Sequence, residues 1–177
     1  SLLHISYFLM LQALMSQSVW TLFFFMLESL GEMSLGVASI SRSVYNVLFI
    51  PIISYGTAVR TTTGQLMGAD AADEIAPYLH RASRLSLGTA AVLATLVAIF
   101  ASTVLRVFTD DPALIIAAIP SMRVLCLSFV IASVGNMYFH AVGGVGSTQK
   151  VFRIELTGNI FYLLYAVAMV YLLRAPI

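Results

Sequence analysis

Apolar residues dominate the chain in five long stretches that contain no Asp, Glu, Lys or Arg. The stretches are Ser1–Leu27, Ser43–Val59, Leu85–Leu105, Val124–Gln149 and Leu156–Leu173. A helix needs about 20 mostly apolar residues to cross the roughly 30 Å hydrocarbon core of a bilayer. Each stretch therefore predicts one spanning helix, and the two shorter stretches require helices that continue past Arg42 and Glu155. The alternating segments of ~10 residues that are typical of a membrane β-barrel are not seen.

The polar residues between these stretches predict where the helices begin and end. We expect an all-α, polytopic membrane helix bundle with five helices at about residues 3–28, 33–67, 80–107, 112–146 and 151–174. Asp111 followed by Pro112 is typical of a helix start, because Asp caps the free N–H groups and Pro fits the first turn. Most of the Lys and Arg residues fall near the connections at 68–83 and 146–152, which predicts that these connections face the cytoplasm.

The composition agrees with a membrane protein and excludes several other classes. Hydrophobic residues make up 60% of the chain and charged residues 10%, against roughly 25% charged residues in a soluble domain. The mean hydropathy is +0.95. A net charge of +1 gives no reason to expect nucleic-acid binding. The three His residues and the single Cys126 lack the spacing of a metal site. We expect Cys126 to be a small residue of the core.

Three motifs lie in order along the chain. The second helix ends in IPIISYGTAVRTTTGQLMGAD, which contains a Gly-Gln-x-x-Gly-Ala pattern. The next motif is LRVFTDDPALIIAAIPSMRV, and the third is FHAVGGVGSTQK. The motif positions are Gly64, Gln65, Gly68, Ala69, Gly144, Gly146 and Thr148. In this order and spacing, the motifs resemble those of the multidrug and toxic compound extrusion (MATE) family.

The resemblance implies an architecture and a function. The resemblance implies the architecture of MATE proteins, which is twelve helices in two lobes around a central cleft. On this resemblance the whole of 1–177 is a partial C-terminal lobe with helices seven to eleven, and the N-terminal lobe and the last helix are absent. The implied function is efflux of cationic amphipathic drugs by Na⁺ or H⁺ antiport with alternating access. The implied location is the bacterial cytoplasmic membrane, and the partners are small-molecule drugs, the lipid bilayer and the missing N-terminal lobe.

The sequence departs from one bacterial branch of the family, in which a Glu of the seventh helix and an Asp of the tenth bind a cation. Those positions fall near Ser16 or Gln17 and near Ala132 or Ser133, and none of these residues is acidic. We therefore expect no cofactor and no metal in this chain, and we expect the coupling ion to bind mainly outside it.

Polar residues inside the helices are the candidates for a transport cleft, because such groups are costly in lipid. The candidates are Gln17, Arg42, Asn46, Arg123, Ser133, Asn136 and His140. For the uncharged residues, hydrogen bonding between helices is the alternative interpretation. For the two Arg residues, the alternative is that the side chains reach outward to the interface. Glu155, next to Arg153, is most simply an interfacial ion pair.

Pro51 is a hinge candidate, because a Pro inside a helix removes one backbone hydrogen bond and favours a bend near 47–51.

Three functions compete with multidrug efflux. The first is a related flippase that moves lipid-linked sugars, and the second is a non-transporting membrane scaffold. The third is an intramembrane enzyme, but the sequence offers no nucleophile paired with a base within reach. We therefore do not expect an enzyme.

Overall fold

The computed structural model describes residues 2–28 and 31–174, and it leaves out the side chains of residues 2–6, 8–9, 12–13 and 170–174. The helices are α1 Leu2–Glu28, α2 Glu32–Gly68, α3 Ile75–Ile99, α4 Ala101–Arg106, α5 Pro112–Gly144 and α6 Thr148–Arg174. A 3₁₀ turn over Ala72–Glu74 precedes α3. The described residues contain no strand. The prediction of an all-α bundle is therefore confirmed.

Four segments are long and apolar enough to cross a membrane. They are Glu32–Gly68, Ala72–Ile99, Pro112–Gly144 and Thr148–Met169. The remaining long helix, α1, has 27 residues and no charged residue before Glu28. The chain is a multi-pass helical membrane protein.

The third segment differs from the prediction of one helix over 80–107. It begins earlier, because Pro77 falls in the first turn of α3, where its missing N–H is not needed. It is also interrupted at Phe100, so that α4 follows as a separate short helix. The buried positions nevertheless continue at a spacing of three or four residues from α3 into α4: Ser83, Ser86, Ala90, Ala94, Val97, Ala101 and Leu105.

Local backbone signals explain the other boundaries. Asp111 caps α5 by accepting a hydrogen bond from the Ala113 N–H at 2.9 Å, and Pro112 follows it, as predicted. Helix α2 ends at Gly68, but the left-handed residue is Asp70, with φ of 58°. The Ala71 N–H reaches back to the Leu66 carbonyl at 2.9 Å, which satisfies a free carbonyl of the last turn.

The chain forms two compact units. One runs from Gly36 to Gly146 and holds most of α2 together with α3, α4 and α5; we call it the central unit. Its core contains one stripe from α2 and one from α5: Ile40, Val44, Leu48, Ile52, Gly56, Val59 and Thr63 with Ile115, Ala118, Met122, Cys126, Phe129, Ser133, Met137 and Ala141. Phe129 is fully buried, and its ring lies 5.8 Å from Phe49 and 6.3 Å from Tyr45 between centroids. The burial of Cys126 is as expected from the sequence.

The other unit contains α1 and α6, and we call it the terminal unit. Its rings form a cluster in which the centroid of Phe23 lies 6.1 Å from Trp20 and 5.5 Å from Tyr162. The buried hydrophobic side chains described in these two helices are Val19, Val151 and Ala166.

Candidate functional site

Three of the cleft candidates lie off the buried stripes of the central unit. Asn46 and Arg123 are exposed, and Arg42 is half-buried. Arg42 and Asn46 are four residues apart on α2 and therefore share a face. In a membrane, such a face must be turned towards protein or water, because charged groups in lipid are costly.

Ser133 occupies a different environment and packs in the core. Its side chain is fully buried, and its hydroxyl donates to the Val130 carbonyl at 2.7 Å. The Ser133 carbonyl in turn accepts a hydrogen bond from the Ser86 hydroxyl of α3 at 3.2 Å. The carbonyl of Ser133 therefore takes part in the α3–α5 contact, which is the alternative that the sequence analysis gave for the uncharged candidates.

Asn136 and His140 come together against Gly56 of α2. A Cβ atom at Gly56 would lie 2.7 Å from His140 Nε2 and 2.8 Å from Asn136 Oδ1, and closest of all to His140 Cδ2. Only Gly leaves room for both side chains against the α2 backbone. The Oδ1 atom of Asn136 is buried and has no hydrogen-bond partner in the part of the chain that the structure describes. These two candidates therefore form one polar cluster at the α2–α5 contact.

The motif glycines meet one helical turn further along the same contact. A Cβ atom at Gly144 would lie 2.5 Å from the Arg60 carbonyl oxygen and 2.9 Å from Thr63 Cβ. A Cβ atom at Gly64 would lie 3.3 Å from the Gly144 carbonyl oxygen. Two glycines from separate motifs thus allow α2 and α5 to approach closely, as small residues do in membrane helices.

The remaining motif residues lie at the helix ends. Gly146 has φ of 77° in the turn before α6, a conformation that favours glycine. Thr148 is the first residue of α6. Gln65, Gly68 and Ala69 lie at the end of α2, where all three are exposed. The hinge candidate, Pro51, is half-buried inside α2, which continues through it as one helix.

Gln17 belongs to the terminal unit and is exposed on α1. Its neighbour Ser16 makes a contact that the sequence analysis missed. The Ser16 hydroxyl donates to Glu155 Oε1 of α6 at 2.5 Å. The two residues are 139 positions apart, so no local pattern could have paired them.

A shallow groove follows one face of α3 in the central unit. It has a volume of about 470 Å³ and is lined by Arg84, Leu85, Gly88, Thr89, Val92 and Leu93. All of these residues belong to α3, whereas the cleft candidates lie on α1, α2 and α5. None of the cleft candidates therefore lines the groove. The described residues contain no group of three or more His, Cys, Asp or Glu that could hold a metal ion.

Long apolar helices with polar clusters at their contacts define a polytopic membrane protein. A family model described as MatE matches residues 9–168 of the 177. The chain therefore belongs to the MatE family, whose members are membrane transporters that act on small molecules. Comparison with curated proteins gave no match, and comparison with solved structures gave none either.

Proposed function

We propose that this chain forms the C-terminal lobe of a secondary active multidrug exporter in the bacterial cytoplasmic membrane. The exporter moves cationic amphipathic compounds outward in exchange for Na⁺ or H⁺, by alternating access between two lobes. The observation that carries the proposal is the MatE match over residues 9–168. The exposed Asn46 and Arg123 support it, because a lobe that only packs in lipid gains nothing from exposed polar groups inside its helices.

The direct test uses the full-length protein in proteoliposomes with an imposed pH or Na⁺ gradient. We expect uptake of a fluorescent organic cation such as ethidium that depends on one of the two gradients and stops when that gradient is collapsed. The absence of gradient-driven ethidium transport, together with movement of a lipid-linked sugar, would replace drug efflux with flippase activity.

A pair of variants on α5 links transport to the candidate residues. Arg123→Leu removes a charge from the exposed face, and we expect the rate of ethidium transport to fall about tenfold, equivalent to ~1.4 kcal/mol. Ser121→Leu is the matched control, because Ser121 is also exposed on α5 but is not a cleft candidate. Equal rates for the two variants would remove Arg123 from the cleft.

A further inference from the structure

The groove on α3 is apolar along its length and carries a charge at one end. Leu85 and Val92 line it with side chains that are 59% and 60% exposed. Gly88 lies between them, and a Cβ atom built there would have no neighbour within 4 Å. The groove therefore exists because a residue without a side chain stands between two large exposed ones. Arg84, one turn before Gly88, is the charged residue of the lining.

The hydroxyl group in the lining is already engaged within the protein. Thr89 Oγ1 lies 3.3 Å from the Tyr55 hydroxyl of α2, and the two groups form a hydrogen bond across the α2–α3 contact. An occupant of the groove thus meets mainly hydrocarbon between Leu85 and Leu93 and meets a guanidinium group at Arg84. The complementary molecule is apolar along its length and anionic at one end.

The sequence places Arg84 at the boundary of an uncharged stretch. No Asp, Glu, Lys or Arg occurs from Leu85 to Leu105, whereas Glu74 and Arg81 precede Arg84. Because charged groups in hydrocarbon are costly, we expect Arg84 near the membrane surface and the rest of the groove below it. The connection at 68–83 is predicted to face the cytoplasm, where the lipid surface is negative.

The length of the groove suits an acyl chain better than another helix. From Arg84 to Leu93 the lining covers about 14 Å along α3, at roughly 1.5 Å per residue. This is about half of the ~30 Å hydrocarbon core, which is the depth of one leaflet. A neighbouring helix would cross the whole core, whereas the chain of a lipid ends within its own leaflet.

We propose that the groove is a binding site for a phospholipid with an anionic head group. One acyl chain lies along Leu85, Gly88 and Val92, and the lipid phosphate contacts the guanidinium of Arg84, which can donate two parallel hydrogen bonds to it. Acyl chains fill any groove that faces the bilayer, so the charge at Arg84 determines which lipid is preferred. This binding does not depend on the proposed drug efflux.

The charges near Arg84 along the chain favour an anionic group. Arg81 is exposed three residues before Arg84, so it lies on the same side of α3 and adds a second positive charge. Glu74 lies ten residues before Arg84, about 15 Å along the helix axis. That separation exceeds the screening length of about 8 Å at physiological salt, so the carboxylate repels the lipid phosphate only weakly.

The first test is photo-crosslinking of the full-length protein in nanodiscs. The probes are phosphatidylglycerol and phosphatidylcholine with the same diazirine-labelled acyl chain. We expect cross-links to residues 85–93 to be about fivefold more frequent with phosphatidylglycerol, the effect of one basic residue near the surface. Arg84→Gln should remove this preference. Arg106→Gln is the matched control, because Arg106 is exposed at the end of α4 but does not line the groove.

A second pair of variants tests the groove itself. Gly88→Leu fills the space between Leu85 and Val92 without a clash, and we expect it to reduce cross-linking to 85–93 to the same level for both lipids. Gly135→Leu is the matched control, since Gly135 is exposed on α5 and its Cβ would also have no neighbour within 4 Å. An undiminished preference for phosphatidylglycerol in Gly88→Leu would overturn the proposal.

Thermal melting in detergent distinguishes a lipid from other occupants. Phosphatidylglycerol should raise the melting temperature of the wild type more than that of Arg84→Gln, because a ligand of the folded state stabilises it. An equal rise with inorganic phosphate would reveal a simple anion site and contradict the proposal. So would a wild type without cross-links at 85–93 in which Gly88→Leu lowers the melting temperature, since another helix of the full-length protein would then fill the groove.

Discussion

The central and terminal units use different side chains to hold their helices together. In the central unit, glycines and small residues bring helix backbones into contact, as at Gly144, whose Cβ would lie 2.5 Å from the Arg60 carbonyl oxygen. In the terminal unit, α1 and α6 meet through the rings of Trp20, Phe23 and Tyr162 and through the Ser16–Glu155 hydrogen bond. The central unit relies on the close approach of helix backbones, and the terminal unit relies on contacts between larger and more polar side chains.

The difference matters because lipid is as apolar as the side chains themselves. Association of helices in a membrane gains little from the hydrophobic effect and depends on close packing and hydrogen bonds. Close packing tolerates little change, since a dense contact cannot absorb added volume. Ring contacts and single hydrogen bonds tolerate more change. We therefore expect the largest stability losses in the central unit.

The largest loss is expected for Gly144→Leu. The new Cβ would collide with the Arg60 carbonyl oxygen and with Thr63 Cβ, and a backbone carbonyl cannot move aside without shifting α2. We expect the free energy of unfolding of the full-length protein in detergent to fall by about 3 kcal/mol. Thermal melting followed by the loss of monodisperse protein measures the effect.

Gly135→Ala is the control on the same helix. A Cβ at Gly135 has no neighbour within 4 Å, so the change only improves helix propensity, by at most ~1 kcal/mol. Equal melting temperatures for Gly144→Leu and Gly135→Ala would show that α2 and α5 do not meet closely at this point, and the contrast between the units would lose its main support.

A smaller loss is expected for Gly56→Ala. Here the new methyl group meets the side chains of His140 and Asn136, which can rotate away, instead of the backbone. We expect a loss of about 1–2 kcal/mol. In the double variant Gly56→Ala/His140→Ala, part of the loss should disappear, with a coupling energy of about 1 kcal/mol. Strict additivity of the two single changes would contradict the contact.

Hydropathy was sufficient to predict the architecture of the chain, because the bilayer restricts spanning segments to long apolar helices. Local chemistry also predicted the Asp111 cap, since the cap depends on neighbouring residues only. The start of α3 was predicted too late, because the polar residues before it were interpreted as a loop. A helix of a membrane protein can continue into water, where charged residues no longer limit it.

The contacts at the candidate sites could not be predicted from the sequence. The approach of His140 to Gly56 depends on the register between α2 and α5, and the Ser16–Glu155 bond joins the first and last helices of the chain. Periodicity shows which residues share a face of one helix but not which residue of another helix they meet. For this reason the sequence left both a cleft and interhelical hydrogen bonding open for Ser133, and it could not name Ser86 of α3 as the donor to the Ser133 carbonyl.

The next effect concerns movement in the central unit. Pro51 leaves the Val47 carbonyl without its usual helical donor, so Pro51→Ala should restore a hydrogen bond and stiffen α2. We expect the rate of ethidium transport to fall about fivefold, equivalent to roughly 1 kcal/mol, without loss of stability. Val47→Ala is the control, since Val47 is 58% exposed on the same helix. Transport equal to wild type at equal protein levels would make Pro51 a packing residue only.

The smallest effect is expected in the terminal unit, for Phe23→Leu. The substitution keeps an apolar side chain but removes an edge-on ring contact with Trp20, at 6.1 Å and 84°, and a tilted contact with Tyr162, at 5.5 Å. Since lipid solvates Leu and Phe similarly, only the ring interactions are lost, about 0.5–1.5 kcal/mol. Phe25→Leu, at a position that is 65% exposed, should change the melting temperature less. A loss for Phe23→Leu as large as that for Gly144→Leu would mean that both units depend on equally tight packing, and the distinction between them would fail.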